Sequence, residues 1–267
     1  MKNSIIKGDV LSVLKDITDN EFVDCGVTSP PYNKKKVGGG DSFRKVVYEN
    51  FDDNLLEEEY QQEQIDILNE LYRLIKSGGS FFYNHKIRHV KGNMIHPLKW
   101  LTKTKWHVRQ EIVWNKRSAV EFSGYRFYQR DERIYWLYKP VNNNIIGKRL
   151  KGKDATLGSI WEVPPDRKNE HPAPFPLEIP LRCIMSVMRD VSNGIVIDPY
   201  MGSGTTAVAA KLLKHNYIGI DKSQTYIDKA NKRIVDYKQY SNILDKENKL
   251  HYVKKSYKQR KQKMGLF

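Results

Sequence analysis

Residues 193–214, NGIVIDPYMGSGTTAVAAKLLK, constrain the fold of this chain more tightly than any other stretch. Ile195, Val196 and Ile197 are consecutive and apolar, which is the pattern of a strand buried on both faces of a parallel sheet. Asp198 and Pro199 end it, Gly202 and Gly204 make a turn, and small helix-forming residues follow at once. YIGID and SQTYIDKANKRIVDY repeat the strand–helix step, while SIIKGD and FVDCGV supply two strand-like runs near the amino terminus. NLLEEEYQQEQIDILNELYRLIKSGG predicts a long amphipathic helix with Ile65, Leu68, Leu71, Tyr72 and Ile75 on its apolar face and Gly78 or Gly79 as its stop. SFFYN predicts a buried strand, and VRQEIVWNK and RIYWLYK predict an antiparallel hairpin at the sheet edge. The expectation is an α/β, Rossmann-like fold: a mostly parallel sheet, an antiparallel edge hairpin, and helices on both faces.

The glycine turn has the layout of a nucleotide-type cofactor site. Gly202 and Gly204 allow close backbone approach, and Asp221, ending the next strand, is placed to hold ribose hydroxyls. No lysine follows the glycines, which argues against a phosphate-cradling loop, and Ala207 stands where a dinucleotide site wants a third glycine. Two cofactors remain open on these residues: a nicotinamide dinucleotide and S-adenosylmethionine.

A second stretch, VTSPPYNKKKVGGG at residues 27–40, breaks the pattern. Two adjacent prolines fix φ twice and remove two donors, so the chain leaves its strand here in a stiff turn with Tyr32 at its tip. The pair TSPPYN and DPYMGSGTT, in that order, resembles the DNA amino-methyltransferases of restriction–modification systems, in the permuted arrangement called the β class. KGDVLSVL, LIKSGGSFF, QEIVWNK, EHPAPFPLEIP and IGIDKSQTYIDKANKRI resemble further segments of that family, over about residues 4 to 236.

The resemblance implies a methyltransferase fold in residues 1–248, with a short target-recognition region within about 116–170 and a basic tail at 249–267. It implies S-adenosylmethionine as donor and S-adenosylhomocysteine as product. Cofactor-binding positions would be Asp9 near the adenine, Thr28, Ala173, Phe175, Pro176, Asp198, Pro199, Tyr200, Gly202, Ser203, Gly204, Thr205 and Asp221. Ser29, Pro30, Pro31 and Tyr32 would form the catalytic turn. An exocyclic amine is a poor nucleophile because its lone pair is delocalised into the ring. The Ser29 hydroxyl and Pro30 carbonyl can accept its hydrogens and turn the lone pair toward the donor methyl, and pre-aimed dipoles of this kind are a large term in catalysis. The base must leave the duplex to be reached, and the Tyr32 ring offers it a stacking face. Serine at the head of the motif points to cytosine N4, since the adenine N6 members more often carry aspartate there.

Charge agrees with a polyanionic partner. The 267 residues hold 46 Lys plus Arg against 31 Asp plus Glu, a formal net charge of +15. Candidate DNA contacts are Lys34, Lys35, Lys36 and Arg44 in a glycine-rich loop, Lys116, Arg117, Arg126, Arg130, Lys148, Arg149 and Lys151 in the recognition interval, and Lys254, Lys255 and Arg260 in the tail. Double-stranded DNA is the expected partner, and the resemblance allows a cognate restriction endonuclease and a homodimer. Cys25 and Cys183 stand far apart without spacing partners, so neither disulfide framework nor zinc cluster is indicated. Their contexts also lack the Pro-Cys nucleophile that cytosine carbon-5 methylation requires. His85 and His89 have i, i+4 spacing but no third ligand, and no metal site is expected. With no signal-like start and no membrane-length apolar run, the chain reads as soluble and cytoplasmic.

Overall fold

The computed structural model describes residues 1–33, 55–117, 124–142, 144, 146–147, 149–150, 154–166 and 176–252. Along the chain these form β1 (Ser4–Lys7), α1 (Val10–Asp16), β2 (Val23–Thr28), α2 (Glu57–Leu74), β3 (Ile75–His85), β4 (Arg88–Val90), β5 (Asn93–Ile95) and α3 (Leu98–Leu101). There follow β6 (His107–Asn115), β7 (Asp131–Tyr138), β8 (Ile160–Glu162), α4 (Glu178–Met188), β9 (Ile195–Asp198), α5 (Thr205–Leu212), β10 (Asn216–Asp221), α6 (Gln224–Val235) and α7 (Ser241–Tyr252).

Eight strands make one sheet in the order β1-β10-β9-β2-β3-β7-β6-β8. The first five are mutually parallel, and β7 runs antiparallel to both β3 and β6. Alternation along each strand feeds two cores. Phe81 and Tyr83 face α1, α2 and α3, whereas Phe82 faces the layer formed by α4, α5 and α6. The Rossmann-like reading therefore holds, helices on both faces included.

Three details differ from the sequence reading. The β6–β7 pair is antiparallel as expected but is not the edge, because β8 adds to β6 in parallel. Helix α2 ends at Leu74, not at the glycines: Ile75 is already extended at φ −73° and ψ 135° and pairs with Val23. Gly78, at φ +82°, serves a register shift inside β3, where its amide donates to the Lys139 carbonyl at 2.8 Å. At the carboxyl end α7 runs through the expected boundary at 248. It is held to α4 by Arg182, which reaches the fully buried Glu247 at 2.7 and 3.0 Å.

Parallel order puts the carboxyl ends of β1, β10, β9, β2 and β3 on one side of the sheet. The antiparallel β7 contributes its amino end there, so Glu132 joins residues from the far parts of the chain. Among the described residues no helix is long and apolar enough to cross a membrane.

Candidate active site

Thr28 ends β2 and Asp198 ends β9, 170 residues later, and the Thr28 hydroxyl donates to the Asp198 carboxylate at 2.7 Å. That one bond joins the two stretches singled out in the sequence. Asp198 also receives the Tyr200 amide at 3.1 Å, so its side chain shapes the turn that follows. Burial pushes its carboxyl up to about 6, against the opposing hydrogen bond from Thr28. A raised carboxyl binds its proton more tightly in the folded chain than in the unfolded one. Stability from this group is thus greatest below about pH 4 and falls as pH rises through about 6. Asp198→Asn should remove that slope. Relative to wild type, the variant is expected to gain about 3 kcal/mol between pH 4 and 7, read from urea midpoints. Parallel pH profiles for the two proteins would contradict the assignment.

The glycine turn is braced from behind. Gly204 sits at φ +79°, and a Cβ there would lie 2.8 Å from the Ala230 Cβ on α6, so only glycine fits. Arg233 of α6 donates to the Ser203 carbonyl and hydroxyl at 2.8 Å each and to the Thr205 hydroxyl at 3.1 Å. Ser203 and Thr205, expected as cofactor contacts, are buried and accept from this brace. Asp221 takes the Gly202 amide at 2.8 Å and the Ser223 amide at 2.8 Å, one on each carboxylate oxygen. Burial raises its pKa in spite of these bonds. Asp9 caps α1 through the Ser12 amide and pairs with Lys222 at 2.8 Å, bringing the first loop to the end of β10. Pro199 and Pro176 are buried, and Tyr200 is half-buried. Ala173 and Phe175 lie outside the described residues.

Alongside, Gln64 of α2 is fully buried, donating to the Tyr200 hydroxyl at 3.0 Å and accepting from Tyr83 at 2.9 Å. Its neighbour Glu63 has a buried Oε2 with no partner among the described residues, within electrostatic reach of Lys222 and Asp9, and burial raises its pKa. An orphaned carboxylate oxygen within reach of Asp9 and Lys222 suits a ligand rich in hydroxyl and amino donors, as an adenosine is.

The SPPY turn departs from its expected form. Tyr32 is only 9% exposed and does not stand at an exposed tip. Its ring packs on His85 with centroids 4.6 Å apart. Its hydroxyl donates to Glu132 Oε2 at 2.8 Å and pairs with Ser29 Oγ at 2.9 Å. Because the phenolic proton goes to the carboxylate, the Ser29 hydroxyl is the donor in the second bond. Asn84, at the end of β3, directs Nδ2 at Tyr32 (2.7 Å), Glu132 (3.0 Å) and Ser29 (3.1 Å). Lys116 closes the set, 2.9 Å from Glu132 Oε1. Burial opposes ionisation of Glu132, yet Lys116 and the Asn84 and Tyr32 donors outweigh it and hold the carboxyl down at about 2. The result is a polarised line, Ser29 to Tyr32 to a fixed anion, leaving lone-pair density on Ser29 Oγ. The Pro31 carbonyl is pinned by the Tyr60 hydroxyl at 2.7 Å, and that hydroxyl also meets His85 Nε2 at 2.8 Å.

Asn84, Glu132, Lys116 (as an ion-pair partner rather than a DNA contact), Tyr60 and Gln64 were not singled out from the sequence. The only signal for Asn84, Glu132 and Lys116 is a polar residue at a strand end, and for Tyr60 and Gln64 a polar group on the buried face of α2. His85 and His89, read at helical spacing, lie on β3 and β4 instead, and His85 is fully buried in the aromatic layer.

The basic candidates divide. Arg117, Arg126 and Arg130 lie at the site end of β6 and β7, where the Lys116 amide donates to the Arg130 carbonyl at 2.8 Å and Arg117 meets Glu162 at 2.5 Å. Arg149 does not: it lines a cleft with Gly78, Arg109 and Tyr138 at the opposite end of the sheet. Lys34, Lys35, Lys36, Arg44, Lys148, Lys151, Lys254, Lys255 and Arg260 lie outside the described residues.

Comparison with known proteins agrees with this geometry. A family described as DNA methylase, of the N6/N4 methyltransferases, matches residues 23–232. The chain is 30% identical to the type II methyltransferase M.HinfI of Haemophilus influenzae over 271 residues, covering 91% of this chain and 71% of that protein. It is 29% identical to the type II methyltransferase M.BglI of Bacillus subtilis over 303 residues, covering 87% and 86%. Among solved structures, the cytosine-N4-specific PvuII DNA methyltransferase superposes with a TM-score of 0.69 at 16% identity, covering 94% of this chain and 93% of that one. The M1.HpyAVI–SAM complex does so with a TM-score of 0.59 at 25% identity, covering 86% and 98%. With two sequence-distant motifs joined at one end of a parallel sheet, and the family match spanning most of its length, the chain belongs to the N6/N4 DNA methylases and is a DNA amino-methyltransferase.

Proposed function

We propose that the chain methylates the N4 amino group of cytosine in double-stranded DNA, on a base turned out of the stack, with S-adenosylmethionine as donor. The observation that carries this reading is the buried line from Glu132 through Tyr32 to Ser29, tied to the glycine turn by the Thr28–Asp198 bond. The donor, when bound, supplies a methyl group on a positively charged sulfur. Asp221, Asp9, Glu63, Tyr200 and the Gly202–Gly204 backbone are the groups that would hold it.

The chain's own residues then do three things. Ser29 Oγ and the Pro30 carbonyl accept the two amine hydrogens, turning the nitrogen lone pair out of conjugation. The two prolines and the Tyr60–Pro31 bond keep those acceptors aimed in advance, so little is spent on ordering them. The amine proton released on methylation passes to solvent, since the Ser29 hydroxyl already carries its own proton. Glu132, held near 2, stays an anion throughout and acts as an orienter rather than a general base.

The choice of cytosine N4 over adenine N6 rests on serine at position 29, where the adenine N6 members of the family more often carry aspartate. A cognate endonuclease and a cytoplasmic setting go with this reading, supported by the type II names of the relatives, and pairing of two copies is proposed beside them.

Asp221→Ala should weaken donor binding and loosen the glycine turn, because two amides lose their acceptor. Calorimetry with S-adenosylhomocysteine is expected to show at least about tenfold weaker affinity. Equal affinity would remove Asp221 from the site. For the reaction itself the test is single-molecule sequencing of DNA from cells that express the chain. N4-methylcytosine at one recurrent sequence is expected, and unmodified DNA would refute the reading.

A further inference from the structure

Residues 124–130 read Gly-Tyr-Arg-Phe-Tyr-Gln-Arg, and they expose more aromatic surface than any stretch of similar length among the described residues. Tyr125 is 62% exposed, Tyr128 54%, and Phe127 98%. A phenylalanine ring held wholly in water gives up its burial free energy for nothing in the free chain. The end of the segment is held all the same. The segment is anchored by the Lys116–Arg130 backbone bond at 2.8 Å and by Gln129 Nε2 donating to the Ile87 carbonyl at 3.0 Å. It leads directly into Asp131 and Glu132, so the ring stands only a few residues from the Ser29–Tyr32–Glu132 line.

Arginines alternate with the rings. Arg126 lies over the Tyr125 ring at 5.9 Å, Arg130 is exposed, and Arg117 lies on the neighbouring strand end. Rings interleaved with cations on a chain of net charge +15 match a stacked polyanion in a way that an apolar protein surface does not.

We propose that this segment enters duplex DNA beside the target, with the Phe127 ring filling the gap that the departing base leaves and Arg126 and Arg130 seated on the flanking phosphates. The inference rests on the base-extrusion reading above and names the element that stabilises the extruded state. A base that leaves the stack deprives both neighbours of contact and strands its former partner. A rigid ring without a polar handle can restore that stacking with no hydrogen bond to satisfy, as apolar wedges do at kinked steps.

The test uses the full chain, with Phe127→Ala and Phe127→Trp, on duplexes carrying its own target sequence. One duplex is fully paired, and the other is mismatched opposite the target base, so that extrusion costs little. Phe127→Ala should lower kcat/KM on the paired duplex by about 5- to 150-fold, the equivalent of about 1–3 kcal/mol for one stacked base. Most of that loss should vanish on the mismatched duplex, and Phe127→Trp should keep most of the activity on both. Because the side chain is almost fully exposed, donor affinity and thermal stability should not change. Equal losses on both duplexes, or none on either, would overturn the proposal. So would a concentration-dependent mass lost in Phe127→Ala, which would make the ring a contact between copies of the chain. If wild type labels neither duplex, it is the methyl-transfer reading that fails, and the control reports that separately.

Discussion

Ser29→Ala is expected to lower methyl transfer about 10²- to 10³-fold, the usual cost of removing one pre-aimed polar group at a reacting centre. Donor affinity should be unchanged, because Ser29 belongs to the acceptor side of the site. Fold stability should barely move, since Ser29 is half-buried and Asn84 keeps its bonds to Tyr32 and Glu132. Tyr32→Phe should also be costly, by about tenfold or more. It removes the oxygen that accepts the Ser29 proton and so fixes that hydroxyl's direction, and it takes a donor from buried Glu132. Tyr32→Ala should be worse, adding the loss of the ring against His85. The turn read alone gives the ring the whole role, whereas the buried hydroxyl shares it. A Ser29→Ala enzyme with wild-type kcat would show that the amine is held by other groups.

Glu132→Ala should have the largest effect on the fold. It leaves the Lys116 ammonium, the Asn84 amide and the Tyr32 hydroxyl facing a hole, and breaking a buried ion pair on one side costs about 3–5 kcal/mol. The melting temperature should fall by on the order of 10 °C. Glu132→Gln keeps the volume and one acceptor, so it should lose less stability while still losing rate. The pH response carries the sign. A carboxyl held at about 2, below its ordinary 4.5, contributes stability that is present above about pH 4.5 and drains as pH falls toward 2. Acid unfolding of Glu132→Ala should therefore be shallower than that of wild type over this interval. If the variant matched wild type in urea at neutral pH, the buried network would be worth nothing.

How much of this is legible in the sequence depends on how far apart the partners lie. The strand–glycine turn–helix step at 193–214 is local, and its geometry follows from consecutive apolar residues and from positions where only glycine fits. The SPPY turn is local too, because two prolines dictate it. What joins them is not local: Thr28 and Asp198 meet across 170 residues, and Tyr32 and Glu132 across 100. Nothing near Glu132 marks it as different from other strand carboxylates until antiparallel β7 turns its amino end toward the site. The same logic explains Arg149. Its charge suited a DNA contact, but it follows the far end of β7, and a linear sequence does not say which end of a strand faces the ligand. The misplaced helix stop has a different cause. Glycines after a helix ordinarily cap it, but here pairing of Ile75 with Val23 extends the chain first and leaves Gly78 to the strand irregularity.

The central claim is that Ser29, polarised through Tyr32 by an ionised Glu132, accepts a hydrogen from the cytosine amine. Nucleoside mass spectrometry of DNA modified in vitro with donor carrying a labelled methyl group tests it most directly, wild type beside Ser29→Ala. The expected result is labelled N4-methylcytosine from wild type and a trace of it from the variant. Label confined to adenine N6 would contradict the choice of base, and label at cytosine carbon-5, or equal yields from the two proteins, would contradict the mechanism.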